Sequence, residues 1–323
     1  MAKRSPKFKA SVNTKPSLEE AFTDFTTEKL GLGRSPATVK NYRQSYEQFC
    51  NYHSLDAAKF LLEDLTEKQF YQWRQHMIEN EVRPTSINHY IRDWRTFLNW
   101  CKEKQLLEEP IVLKEMKHQE EQLKMYKDEE LELLLTKPLQ GDSYTRWRDW
   151  AIVNLIYGTG LRASSVCALT IQCVNLETGQ LTIPQQKNKR ASFLPIGDTL
   201  KVVLKEYMKK WLSEEDDDAF LFQSFTGEQL TVNALHTSIN KLCAKYGFKG
   251  HGVHSIRHNF AKDMAKSGAG AFRLQAYLQH SNIQMSQHYV RLFADDLREG
   301  MEQYNPLEIR HKKTSKQGKF KKG

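Results

Sequence analysis

Hydrophobic positions recur at helical spacing through the first third of the chain. After Ser35-Pro36, a capping residue followed by proline at the first helical position, come Val39, Tyr42, Tyr46 and Phe49, with Lys40, Asn41, Arg43 and Gln44 largely off that stripe. A second break at Arg83-Pro84-Thr85 opens Ile87, Tyr90, Ile91, Trp94, Phe97 and Leu98, again at i, i+3, i+4, i+7, with Asn88, Arg92, Arg95 and Asn99 mainly on the other side. Another helix is predicted over Glu67–Glu79, and one more before the Gly31-Leu32-Gly33 break. The pattern predicts a four-helix unit over residues 17–110 with short connections. The next stretch, through residue 127, is rich in Glu, Lys and Gln and reads as an interdomain linker, 111–127. Beyond it the pattern is mixed. Leu181-Thr182-Ile183 and Ser192-Phe193-Leu194 read as two strands around the polar turn Gln186–Arg190, and helices resume at Asp198, a plausible cap, through Tyr289. The fold class is mainly α with a small β-sheet (α+β), in two domains, the second spanning 128–304.

Charge changes the picture at the ends only. Residues 1–16 carry five basic side chains and residues 310–323 carry seven, neither with an acid; without these twelve, 36 basic residues face 39 acidic ones. The ends, 1–16 and 305–323, read as basic disordered tails suited to a polyanion, although charge alone fits a solubility role equally well. There is no apolar run approaching ~20 residues and no secretory leader, so no membrane is expected. The five cysteines (Cys50, Cys101, Cys167, Cys173, Cys243) form no C-x-x-C pair and read as buried, reduced thiols rather than a zinc site.

Four places in the second half supply groups that act on a phosphodiester. Tyr157-Gly158-Thr159-Gly160-Leu161-Arg162 is an apolar segment that turns at glycine and restarts as a helix, leaving Arg162 near the helix start, where a guanidinium grips two phosphate oxygens. Lys187 sits on the predicted hairpin turn, placed to protonate a leaving oxygen. In His254-Ser255-Ile256-Arg257-His258, the i, i+3 pair His254 and Arg257 shares a helix face. Leu278-Gln279-His280 is followed nine residues later by Tyr289, a phenol that needs positive charge around the phosphate to act as a nucleophile. None of these is specific alone: a loop lysine is usually solvated and a helical tyrosine usually packs.

Taken together, the order Arg, Lys, His-x-x-Arg, His, Tyr resembles the tyrosine recombinases of the phage integrase family, in detail over residues 150–295. The resemblance implies a helical core-binding domain followed by the catalytic domain. It implies Arg162 and Arg257 as phosphate clamps, Tyr289 as nucleophile, Lys187 as general acid, and His254 and His280 as aids to proton transfer and phosphate binding. Lys189 and Arg190 share the turn with Lys187, which is preferred because it lies eight residues before Pro195, as the family's hairpin lysine does before its own proline. Two positions depart from the family: Ser165 where an acid is usual, and Gln279 where glycine is usual.

The implied activity is site-specific cleavage and rejoining of DNA through a 3′-phosphotyrosyl link, for a mobile element or for resolving DNA multimers, with no cofactor, metal or ATP. Lys40, Arg43, Arg92 and Arg95 are the candidate DNA contacts. The implied partners are double-stranded DNA and further copies of the chain, a tetramer on two sites, or a related recombinase. The implied location is the cytoplasm, at the nucleoid. The amphipathic segment Leu292 to Tyr304 would dock on a neighbouring protomer. About sixteen residues before the helical unit are too few for a folded arm-reading module, so a two-domain enzyme bound to core sites is expected. Three rivals remain: a type IB topoisomerase with the same chemistry, an inactive DNA-binding derivative of a recombinase, and a structural helical protein for which the constellation is coincidence.

Overall fold

In the computed structural model, residues 15–117, 123–184, 192–279 and 282–293 are described. Residues 1–14, the C-terminal tail, the turn carrying Lys187, Lys189 and Arg190, His280, and all but the start of the Leu292–Tyr304 segment lie outside the described residues. Lys15, expected in a disordered tail, instead pairs with Glu63 and with Glu108 at 3.6 Å. The chain forms two units, Met1–Glu121 and Gln122–Gly323.

The first unit is built from α1 (Leu18–Gly31), α2 (Pro36–His53), α3 (Glu67–Glu79) and α4 (Pro84–Glu103). Ser17 and Glu20 start α1 with a reciprocal capping box, and Ser35 caps α2 ahead of its proline. The predicted stripe of α4 is buried at Ile87, Ile91, Trp94, Phe97 and Leu98. The core is aromatic: Phe22 stacks on Tyr46 with ring centres 3.9 Å apart, and Phe49 meets both Phe70 and Trp94 at 4.6 Å.

Two sequence expectations change here. Asn88, predicted off the apolar face, is buried because its amide pairs both ways with the Met116 backbone, donating to the carbonyl (2.9 Å) and accepting from the amide (2.8 Å). The predicted linker is not uniformly free: Leu113 belongs to the core of the first unit and Tyr126 to that of the second.

The second unit opens with α5 (Asp128–Leu135), α6 (Tyr144–Thr159) and the one-turn α7 (Ala163–Cys167). A three-stranded antiparallel sheet follows in the order β1 (Val174–Asn175), β2 (Gln180–Ile183), β3 (Ser192–Pro195), with Ile183 opposite Ser192. Then come α8 (Asp198–Trp211), α9 (Val232–Lys245), α10 (Val253–Lys266), α11 (Ala271–Leu278) and α12 (Ile283–Phe293). Gly197 rather than Asp198 occupies the cap of α8; Asp198 is its first helical residue, paired to Lys201 at 3.0 Å. Helix α6 is buried nearly all round, from Arg146 to Ile156, and forms the centre of the unit. Its two adjacent charges survive burial by pairing: Arg148 donates to Asp149 (3.0 Å) and to the Gln223 carbonyl (3.1 Å), and Ser238 of α9 donates to Asp149. All five cysteines are buried and unbridged. Among the described residues, no helix is long and apolar enough to cross a membrane.

Candidate active site

Helix α10 carries the site, and its rotation is fixed from behind. Val253, Ile256, Phe260, Ala261 and Ala265 are buried on its core side. Asn259, fully buried, exchanges two hydrogen bonds with the backbone of Tyr126: its side chain accepts from the amide (3.0 Å) and donates to the carbonyl (2.8 Å). The Tyr126 phenol accepts from the His251 amide (3.1 Å) and donates to the Gly252 carbonyl (3.3 Å), holding the start of the helix. With the helix pinned this way, His254, Arg257 and His258 fall at i, i+3 and i+4 on one face.

Arg257 is 3% exposed and donates to the carbonyls of Gly160 and, at 2.8 Å, Leu278. The first of these sits in the turn after α6. Gly160 takes a left-handed conformation (φ 69°), and a Cβ there would fall 2.5 Å from the Phe260 ring, so the close approach of α6 to α10 needs glycine. Two residues on, Arg162 caps α7 and reaches the Gln279 carbonyl at 3.4 and 3.5 Å, long and weak contacts. Both guanidiniums therefore address the carbonyl end of α11, where the helix dipole favours cations. Burial, with the nearby Arg162 charge, lowers the pKa of Arg257 to about 10, which leaves it charged at neutral pH. A buried guanidinium with a second, half-buried one beside it forms a site whose repulsion a phosphate would relieve.

Tyr289, on α12, is 7% exposed and packs with Phe260, Leu274 and Leu278. Its hydroxyl lies 2.6 Å from Nδ1 of His258. The His258 ring in turn stands nearly perpendicular to that of His254, with centres 4.7 Å apart. Burial raises the Tyr289 phenol above its ordinary range, and the Arg257 charge opposes that. Burial, with His254 and Arg257, pushes His258 down to about 4, so it is neutral near pH 7. Partial desolvation and the charges of Arg257 and Arg162 also hold the His254 imidazolium below its ordinary range.

The structure thus brings together Arg162, His254, Arg257 and Tyr289, from three separate stretches of sequence. Lys187 and His280 lie outside the described residues, but positions flanking them meet: Gln279 Nε2 donates to Ser192 Oγ, at the start of β3, at 2.6 Å. Gln279 adopts the left-handed conformation (φ 51°) that glycine takes easily, which explains the family's preference there. Ser165, at the position of the family's acid, is 1% exposed. In the first unit, Lys40, Arg43 and Arg92 are exposed. Arg95 is engaged instead, donating to the Leu113 carbonyl (3.1 Å) and pairing with Glu115 (3.0 Å). Sequence reasoning missed His258 and Asn259 as parts of the site. The available signal was the i+4 relation of His258 to His254.

A tyrosine hydroxyl held against histidine beside one buried and one half-buried guanidinium, on a helical domain with a small sheet, is a site suited to grip a phosphate. Residues 124–295 match the phage integrase family. The chain belongs to that family and is a tyrosine recombinase, an enzyme of site-specific DNA recombination that cleaves and rejoins DNA. It is 26% identical over 306 residues to tyrosine recombinase XerC of Oceanobacillus iheyensis, covering 89% of this chain and 96% of that protein. Its fold resembles the Tn1549 transposon integrase in complex with transposon right end DNA, with a TM-score of 0.69, 17% identity and coverage of 89% of this chain and 99% of that one. It also resembles a lambda integrase tetramer bound to a Holliday junction, at TM-score 0.67 and 16% identity over 86% of this chain and 78% of that one.

Proposed function

We propose that this recombinase cuts one strand of duplex DNA by attack of Tyr289 on the scissile phosphate, giving a 3′-phosphotyrosyl link and a free 5′ hydroxyl. Arg162 and Arg257 clamp the phosphate and stabilise the charge of the pentacoordinate state. His254 assists at the same phosphate. By resemblance, Lys187 protonates the leaving 5′ oxygen and His280 adds a phosphate contact. The bond energy stays in the phosphotyrosine, so a 5′ hydroxyl of a second strand reverses the step without ATP or metal. The carrying observation is the convergence of Tyr289, Arg257, Arg162 and His254 on the turn between α6 and α7, α10 and α12.

In this reading the first unit is the core-binding domain, with exposed Lys40, Arg43 and Arg92 facing phosphates. Four copies, or two pairs with a related recombinase, act on two sites, as the lambda integrase tetramer on its junction suggests. The substrate is chromosomal, plasmid or mobile-element DNA, which places the protein in the cytoplasm at the nucleoid. The test uses a nicked suicide duplex built on the sequence the protein selects from a random duplex pool. A covalent protein–DNA band with the parent and none with Tyr289→Phe supports the reading. A shifted but never covalent complex with the parent would return it to the class of binding proteins.

A further inference from the structure

His258 meets the one atom that must lose a proton before DNA is cut. We propose that His258 is the general base for Tyr289, a role that rests on the tyrosine being the nucleophile. The phenol proton passes to Nδ1 as the tyrosine oxygen bonds to phosphorus, the bond from phosphorus to the 5′ oxygen breaks, and that oxygen takes a proton from the general acid. In religation the 5′ hydroxyl gives its proton back to the deprotonated general acid as it attacks phosphorus, the bond from phosphorus to the tyrosine oxygen breaks, and His258 returns its proton to the leaving phenolate. Protons and electron pairs balance in both directions, with no further reactant.

The geometry for transfer is already present. A separation of 2.6 Å between Nδ1 and Oη is within the reach that proton abstraction requires. Both partners are held: Tyr289 by the Phe260, Leu274 and Leu278 cluster, and His258 by the helix that Asn259 ties to Tyr126. A neutral imidazole has the free lone pair that a base needs, and its surroundings keep His258 neutral near pH 7.

Those surroundings also tie the proton transfer to the arrival of DNA. Among the described residues, the charged and titratable groups bearing on His258 are His254 and Arg257 on its own helix and Tyr289 on α12. From α6, Tyr157 is engaged with Asp263 at 2.7 Å, and from α9, His236 accepts from the Val253 amide at 3.3 Å. Burial weakens His258 as a base most, then the neighbouring His254 and Arg257, and a phosphate seated on the guanidiniums offsets the last of these. Seating the phosphate therefore raises the basicity of the imidazole relative to the DNA-free protein, in the direction that favours transfer from the phenol.

The full-length protein is assayed on the selected suicide duplex in single turnover, as His258→Ala and His258→Gln, with tyrosine or 3,5-difluorotyrosine at position 289. Loss of a general base predicts adduct formation slowed about 10²-fold or more in both variants, with duplex affinity and thermal unfolding close to parent. The more acidic fluorinated phenol needs less help, so it restores about tenfold or more to His258→Ala and little to the parent. Glutamine can hydrogen-bond to the phenol but cannot accept its proton. Parental rate in His258→Gln, or a deficit identical for both phenols, would show a positional contact and overturn the assignment. Adduct formation by Tyr289→Phe at the parental rate would instead overturn the nucleophile reading itself.

Discussion

The two units treat charge in opposite ways. The first buries an aromatic core and leaves Lys40, Arg43 and Arg92 exposed, and its buried acid, Asp93, accepts from Ser45 at 2.5 Å. The second buries the groups proposed to act on the phosphate: Arg257 at 3% exposure and Tyr289 at 7%, each fixed by named partners. A desolvated charge must be paid for by specific contacts, and those contacts record what the group is positioned to do. A solvated lysine leaves no such record, because water satisfies it in any orientation. The buried groups of the second unit therefore carry a structural record that the exposed basic groups of the first do not.

The contrast breaks first at Arg257. Arg257→Ala is expected to slow covalent adduct formation about 10³-fold, the scale for loss of a transition-state donor. It also leaves the Gly160 and Leu278 carbonyls without a buried donor, lowering stability by about 2–4 kcal/mol. Single-turnover cleavage and urea unfolding read the two effects separately. Full activity in this variant would mean that burial here serves packing alone. Asn259→Leu keeps the branched outline but strands the Tyr126 amide and carbonyl, at about 2–4 kcal/mol in the same unfolding assay. Cleavage should fall as well, because the helix face bearing His254, Arg257 and His258 is no longer pinned.

How much of this was legible follows from the same physics. Helices α2 and α4 were readable because each pairs a start signal with a one-sided stripe, and β2 and β3 because short apolar runs flank a polar turn. Helix α6 is apolar nearly all round and has no face to betray its period, while β1 is two residues long, too short for alternation to register. The break between α11 and α12 was hidden because glutamine, not glycine, takes the left-handed turn. In the site, His254 and Arg257 were legible as a local i, i+3 pair. The partner of His258 comes from α12, 31 residues away, and no local pattern reports such a contact. Asn259 was missed for the same reason, since its partner Tyr126 lies 133 residues earlier.

Acid pH offers a milder probe of the buried region. His258 is pushed from the usual histidine range to about 4, so between pH 6.5 and 4 the unfolded chain binds a proton that the folded chain refuses. Stability from this group is complete above pH 6.5 and is lost as pH falls toward 4, by about 3 kcal/mol at most. His254 shifts in the same direction and adds to the loss. His258→Asn removes one titrating group, so its unfolding free energy should decline less steeply over that interval than the parent's. Parallel declines would show that His258 is not desolvated in the folded protein.

The smallest effects belong to the first unit, and they sharpen the comparison because no structural contact predicts them. Lys40→Ala or Arg92→Ala should leave thermal stability within about 0.5 kcal/mol of parent, as exposed substitutions do. If each side chain meets a phosphate, it should weaken binding to every duplex alike and reduce the salt slope of log affinity by about one. Arg95→Ala should behave in reverse, because that guanidinium already holds the Leu113 carbonyl and Glu115: stability falls while the salt slope barely moves. A salt-slope change at Arg95 equal to that at Arg92 would mean that DNA displaces the Glu115 pairing. The boundary between structural and recognition arginines in this unit would then be set by the ligand rather than by the fold.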